Sequence, residues 1–333
     1  MKAIIPVAGA GTKLRPHTYT QPKALIPMAG KTVLGVILDT LLENGVDEFI
    51  FIIGYLGEKI QKYIEAHYPD MKATFVSQNN RRGTGHAIWL TKEVVAEQPI
   101  LIVYGDTICD FDIQTVINSK HSQIGLRRVD SPGKFGVAEI SETDNVVRRV
   151  VEKPRIPKSN LAIVGVYKII ETPVLFEALG KYLDTDKVAE DGEYHLTHAI
   201  QTMIDAGVKF EGFRVNNWFD CGQKDTLLET NATLLQTMSI DVGRKIDHAR
   251  NTVIIPPVSI GEGCRIEDSI IGPNVSIGEN TQIKSSIIHD SIIGSFAQLD
   301  EVVLKKSIIG SDAYVHGLSQ SLNIGDNTEI DLG

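Results

Sequence analysis

Pro6-Val7-Ala8-Gly9-Ala10-Gly11-Thr12-Lys13-Leu14-Arg15-Pro16, closed by Pro22-Lys23, is the stretch on which the reading of this chain turns. Ahead of it, Lys2 to Ala8 is an apolar, β-branched run that reads as a buried strand. Gly9 and Gly11 let backbone N–H groups approach an anion closely, and Lys13, Arg15 and Lys23 add positive charge, so the segment reads as a phosphate-binding loop. Two common glycine loops are excluded. A dinucleotide fingerprint needs a third glycine where Leu14 stands and a helix where Arg15-Pro16 disfavours one, and a Walker loop needs a Gly-Lys-Ser/Thr that is absent.

Working outward, 333 residues suffice for a large core and two domains. A net charge of −9 argues against a nucleic-acid partner, so any polyanion contact is expected in a local cationic pocket. Cys109, Cys221 and Cys264 are widely spaced, form no metal-ligand pair and read as small buried hydrophobes of a reduced, cytoplasmic protein. The N-terminal apolar run is broken by Pro6 and Gly9, which makes it a first strand rather than a signal peptide. No run reaches transmembrane length, so no membrane partner is expected.

Along the chain, helical spacing over Thr32–Glu43, Glu58–His67 and Gly85–Val95 alternates with strand-like runs at Glu48–Ile53, Lys72–Val76 and Ile100–Tyr104. This order predicts an α/β fold: a Rossmann-like, mostly parallel sheet with helices on both faces and ligands at the carboxyl ends of its strands. Those ends carry Gly9 to Arg15, Gln78 to Gly85 and Gly105-Asp106. Short runs at Gln123–Val129, Gly136–Ile140 and Val146–Glu152 read as an antiparallel insertion over the sheet. Asp106 offers a hard oxygen ligand for Mg²⁺ against triphosphate oxygens. Gln78 has one amide donor and one acceptor, which suit the edge of uracil or thymine, with adenine also open. His17 reads as an exposed turn residue. His195 and His198 share a helix face but have no third soft ligand nearby, which disfavours a metal site there.

The loop, Gly105-Asp106, Trp218-Phe-Asp-Cys-Gly222 and Glu152-Lys153-Pro154 together resemble the sugar-1-phosphate nucleotidylyltransferases, whose loop reads Ala-Gly-x-Gly-Thr-Arg-Leu-x-Pro followed by Pro-Lys. Lys13 stands where that family carries arginine. The resemblance implies a GT-A-like nucleotidyltransferase domain over 1–240 that uses Mg²⁺ held by Asp106 and Asp220. It implies nucleotide contacts from Ala8, Gly9, Gly11, Thr12, Lys13, Arg15, Gln78, Gly83 and Thr84. Gly136, Glu152, Lys153, Asn160, Gly165 and Glu193 are implied for the sugar phosphate, with Lys13, Lys23, Asp106 and Asp220 as the catalytic set. Relatives that use GTP tend to carry glutamate at position 78, so Gln78 leans toward dTTP or UTP.

From Thr252 the pattern changes. Ile277-Gly278, Ile293-Gly294 and Ile309-Gly310 recur every 16 residues, Ile324-Gly325 follows after 15, and Ser-Ile-Ile begins at 269, 286, 291 and 307. With aliphatic pairs six apart (Ile260 and Ile266, Ile277 and Ile283), this resembles the hexapeptide repeat of left-handed parallel β-helices. The domain is expected over 252–333, with inward aliphatics and with glycine or asparagine at the corners. The combined expectation is transfer of a nucleotidyl group from an NTP to a hexose 1-phosphate, glucose 1-phosphate favoured, by a cytoplasmic homo-oligomer. ATP with glucose 1-phosphate and GTP with mannose 1-phosphate are the alternative pairs. A regulatory protein that binds nucleotide without turnover is a second reading. A third is a bifunctional enzyme whose β-helix transfers acyl groups, for which His289 and His316 are the only candidate bases.

Overall fold

The computed structural model describes residues 1–141, 143–185, 189, 192–237, 249–317, 319–320 and 322–331. The expected change of character over 237–251, and with it the end of the first domain at 240, falls largely outside these residues. The chain divides into two units: Met1–Gly9 with Ile37–Trp218, and Ala10–Val36 with Phe219–Gly333.

The first unit is built on a nine-stranded mixed sheet. Lys2–Pro6 lies between Glu48–Ile53 and Ile100–Val103, parallel to both, and Lys72–Ser77 continues the parallel part. Leu161–Ile169 then adds antiparallel to Ile100–Val103 and also meets Ser122–Arg128 and Val137–Ile140. The antiparallel strands therefore extend the one sheet instead of forming an insertion laid over it. The sheet is buried on both faces: Ile50 and Ile52 share a cluster with Ile4, Ile100 and Ile102, while the alternate Phe49 and Phe51 are also buried. The helix expected over Gly85–Val95 is two, Thr84–Trp89 and Lys92–Val95. They part where the Thr91 hydroxyl bonds back to the Ile88 carbonyl (2.7 Å), the local competition that threonine brings to a helix.

The second unit carries a left-handed parallel β-helix, seen as parallel sheets of six, five and five strands. Register stacks Ile266, Ile283, Leu299, Val315 and Ile330 in one ladder and Ile260, Ile277, Ile293, Ile309 and Ile324 in another. Each buried aliphatic of this kind contributes about 1.5–3 kcal/mol. The glycines of the Ile-Gly recurrences do something other than turn corners. A Cβ on Gly261 or Gly278 would fall 2.5 Å from a backbone nitrogen of the next coil, so glycine is needed for close stacking. The left-handed positions of the β-helix are held by other glycines and by asparagines, as expected, among them Gly263, Gly272, Asn274 and Asn280, and also by Asp268 and Asp290. The repeated serines form ladders: Ser269 Oγ accepts from Ser286 N (3.0 Å) and Ser286 Oγ from Val302 N (3.2 Å).

One sheet of the β-helix runs Val258–Ile260, Val275–Ile277, Ile292–Ile293, Ile308–Ile309, Asn323–Ile324. Ser259, Ser276, Ile292 and Ile308 alternate with its inward ladder, yet all are buried. The cover comes from the same unit. Ala29 N donates to Asn231 Oδ1 (2.8 Å) of the Lys224–Thr237 helix and lies 3.0 Å from Ser276 Oγ. A Cβ on Gly30 would sit 2.5 Å from Ser259 Oγ.

Candidate functional site

Parallel pairing sends Val7-Ala8-Gly9, Gly54 and Gly105-Asp106 off the same edge of the first unit's sheet. Val7 N donates to Ile52 O (2.9 Å) and Gly105 N to Pro6 O (3.2 Å). A Cβ on Gly54 would lie 2.9 Å from Ala8, so this edge is packed backbone on backbone. Asp106 is half-buried, and its Oδ1 accepts from the Thr107 hydroxyl at 3.1 Å.

Gln78 is buried at 5% exposure. Its Nε2 donates to Gly83 O (3.1 Å) and lies 3.0 Å from His86 Nδ1. Burial, then the nearby Arg82 charge, lowers the His86 pKa and so favours the neutral ring, whose Nδ1 accepts from the Gln78 amide in the tautomer protonated at Nε2. The donor half of the amide is thus engaged inside the protein, where the sequence reading offered both halves to a base. Gly83 and Gly85 have a packing duty as well. Gly83 has φ +99°, its Cβ would lie 2.6 Å from Tyr194 O, and Gly85 N donates to that same oxygen (2.6 Å). The Thr84 hydroxyl accepts from Leu196 N at 3.1 Å.

Among the residues expected at the sugar phosphate, Gly136 and Glu152 come together: a Cβ on Gly136 would stand 3.1 Å from Glu152 Oε2. That oxygen accepts from the Thr197 hydroxyl (2.7 Å), which orients the carboxylate. Thr197, four residues after Glu193, is buried, whereas Glu193 is exposed. Gly165, at φ +83°, lies under the Tyr104 ring, where a Cβ would approach to 2.6 Å. Burial pushes the Tyr104 hydroxyl up to about 12, so it remains protonated and neutral. Lys153 takes the left-handed conformation (φ +38°) and its N donates to Phe135 O at 3.1 Å. Asn160 lines an open groove with Arg128, Glu139 and Lys158, and no hydrogen bond joins it to Glu152.

In the second unit Gly11 has φ +60°, and a Cβ there would meet Thr18 Cγ2 at 2.9 Å and Lys23 Cβ at 3.0 Å. The Thr18 hydroxyl donates to Gly11 O (2.8 Å), and Leu14 N donates to the same carbonyl (2.9 Å), which closes the short turn Thr12–Leu14. Thr12, Lys13 and Arg15 are exposed, with the Arg15 guanidinium 4.9 Å from the Tyr19 ring centre. Lys23 and Asp220 are brought together, Nζ to Oδ1 at 3.8 Å. His17 is buried, contrary to the expected exposed turn residue, and its Nε2 bonds Asn323 Oδ1. The reason is the cover described above: the loop lies on β-helix rather than on water.

Cys221 and Cys264 are buried as expected, but Cys109 is partly exposed. His289 and His316 stand on different β-helix sheets, facing Asp290 and Asp300 respectively.

Comparison with known proteins agrees with this architecture. A family model described as nucleotidyl transferase matches residues 2–237, and one described as a GlmU-like C-terminal hexapeptide matches residues 229–293. The bifunctional protein GlmU of Methanocaldococcus jannaschii is 36% identical over 79% of this chain; the chain spans 61% of that relative's length. A glucose-1-phosphate thymidylyltransferase of Streptomyces antibioticus is 31% identical, with 81% of this chain and 75% of the relative covered. The solved structure of a UDP-glucose pyrophosphorylase complexed with UDP-glucose superposes with a TM-score of 0.63 at 22% identity, over 71% of this chain and 99% of that one. The chain belongs to the nucleotidyl transferase family. A glucose-1-phosphate thymidylyltransferase stands among its relatives, and a GlmU-like hexapeptide β-helix follows the nucleotidyl transferase domain in this chain.

His17, Thr18 and Thr197 were not singled out as site residues in the sequence. The only signal was position: two follow the glycine loop directly, and the third lies four residues after Glu193.

Proposed function

We propose that the protein joins an NTP, dTTP or UTP in preference, to a hexose 1-phosphate, glucose 1-phosphate in preference, giving a nucleotide sugar and pyrophosphate. The observation that carries this reading is the loop from Gly9 to Arg15, with Gly11 in the left-handed region and the Lys23–Asp220 pair beside it. Backbone N–H groups at Gly9, Gly11 and Thr12, with Lys13 and Arg15, bind the triphosphate. Lys23 and Lys153 take the α-phosphate and the acceptor phosphate. Glu152, held by Thr197, accepts from sugar hydroxyls, and Gly136, Gly165, Asn160 and Glu193 complete the sugar side.

A phosphate monoester oxygen is already anionic, so no protein nucleophile is needed. The sugar-phosphate oxygen attacks the α-phosphorus in line and pyrophosphate leaves, while the lysines hold the polyanions in register and balance developing charge. Asp106 and Asp220 supply only oxygen donors, the ligand set that suits Mg²⁺. When bound by these two carboxylates, such an ion would neutralise phosphate charge. Among the described residues no three His, Cys, Asp or Glu side chains gather as an all-protein metal site would require.

Gln78 Oε1 can accept the N–H of uracil or thymine, and the preference for dTTP or UTP rests on the resemblance, in which relatives that use GTP tend to carry glutamate at this position. No helix among the described residues is long and apolar enough to cross a membrane, and a cytoplasmic location is part of the proposal. So is self-association, supported by Val253, Ile270, Ile287 and Val303, which leave an aliphatic ladder exposed on one β-helix sheet.

The experiment is pyrophosphate release with Mg²⁺ across five NTPs and a set of hexose 1-phosphates. Release that depends on one sugar phosphate and disappears in Asp106→Asn supports the reading. Silence across the grid with nucleotide binding intact overturns it in favour of a binding protein.

A further inference from the structure

The β-helix meets the segment that follows the glycine loop of its own unit. His17 Nε2 bonds Asn323 Oδ1, and the Thr20 hydroxyl donates to Asp326 Oδ2. Between these contacts Pro16 lies on Gly325, where a Cβ would stand 3.2 Å from Pro16 Cβ. The coil that makes them is tied to its neighbours. Asp326 Oδ1 accepts from Ser311 N (2.8 Å), and Asn323–Ile324 pairs in register with Ile308–Ile309. On the other side the same short segment governs the loop, because Thr18 holds the Gly11 carbonyl and both Thr18 and Lys23 crowd Gly11. Farther along, Ala29 and Gly30 are fixed on Ser276, Asn231 and Ser259, at the opposite end of the same sheet. The segment from Pro16 to Gly30 is therefore secured at both ends to the β-helix and its adjoining helix, with Gly11 and Lys23 depending on its course.

We propose that the 323–326 coil is a positioning element for the nucleotide-binding loop, with Asn323 and Asp326 acting on the NTP through His17 and Thr20. None of these four side chains touches substrate in this account. Their effect is geometric: they fix where Gly11, Lys13 and Lys23 stand, and displacement of phosphate-binding groups by an ångström costs orders of magnitude in rate. The β-helix is then part of the catalytic machinery of its own chain. This inference rests on the loop's proposed role in binding the NTP.

The test uses the full chain. Asn323→Leu and Thr20→Val each remove one hydrogen-bonding group at nearly constant volume, while Asn323→Asp and Thr20→Ser retain it. The expected result is a rise of about tenfold or more in KM for the NTP in the Leu and Val variants, with KM for the sugar phosphate within about twofold of the wild type and the conservative variants near wild type. An NTP KM that stays at the wild-type value in both folded variants overturns the proposal. Amide hydrogen exchange is read in parallel, for the case in which a variant is too unstable to assay. In Asn323→Asp and in native wild type at rising denaturant, Leu14 and Arg15 should lose protection together with Ile324. Loop protection that is independent of the coil overturns positioning. A wild type that turns over no NTP while loop and coil still exchange together removes the functional reading and leaves the mechanical coupling standing, so the two failures are distinguishable.

Discussion

Lys13 is the residue at which chemistry departs most from the family's loop. An arginine binds phosphate oxygens through two parallel donors, whereas lysine brings a point charge on a flexible stem. Lys13→Arg should preserve or raise turnover in steady-state assays, and a large loss would show that Lys13 does not fill the arginine's role. Gln78→Glu sets a carboxylate against the Gly83 carbonyl and the neutral His86, so kcat/KM with dTTP or UTP should fall by about tenfold, the cost of one misdirected polar contact. His17 gives a pH signature. Burial, its largest influence, lowers the pKa below the ordinary 6.5; the Asn323 bond and Asp326 oppose this in part, and Lys224 adds to it. Below pH 6.5 the unfolded chain takes up a proton that folded His17 resists, so its stabilising contribution is complete above about 6.5 and is lost as the pH falls toward the folded value. Thermal midpoints measured from pH 7.5 to 5 should therefore fall less steeply in His17→Gln than in wild type, after allowance for the common slope.

At the scale of elements, the β-helix depends on what its repeats place at fixed points. Gly278 carries no left-handed φ, yet its Cβ would strike Ser295 N, so Gly278→Ala should cost about 1–3 kcal/mol by overpacking, read from denaturant midpoints. Ser286 is buried, donates to Lys284 O (2.6 Å) and accepts from Val302 N, so Ser286→Ala leaves a buried N–H without its partner. Its cost should also be about 1–3 kcal/mol. Equal stability of either variant with wild type would remove the ladder and close-stacking account. Strand runs such as Glu48–Ile53 were legible with their full bounds, because a buried parallel strand is a short continuous apolar run. The break at Thr91 was not, because a hydroxyl choosing the helix backbone leaves no mark on hydrophobic periodicity.

For the whole molecule, the division into units does not follow chain order: residues 10–36 belong with the β-helix rather than with the strand that precedes them. Ile288→Ala, in the β-helix core, should cost about 2–5 kcal/mol and speed amide exchange around Leu14 and Ile26, while amides of Ile4 and Ile102 keep their protection. Loss of protection confined to the β-helix would contradict the grouping. The sequence by itself determined the alternating α/β order and the coil period, since both rest on local spacing of residue types, while the candidate phosphate, metal and sugar residues came from the resemblance of short motifs to a family. Tertiary structure decided the rest: that the antiparallel strands join the main sheet, that Gln78 spends its donor inside the protein, that Thr197 holds Glu152, and that His17 is buried on Asn323. Each of these depends on which surface arrives opposite a residue from a distant part of the chain, and hydrophobic period and motif carry no record of that partner.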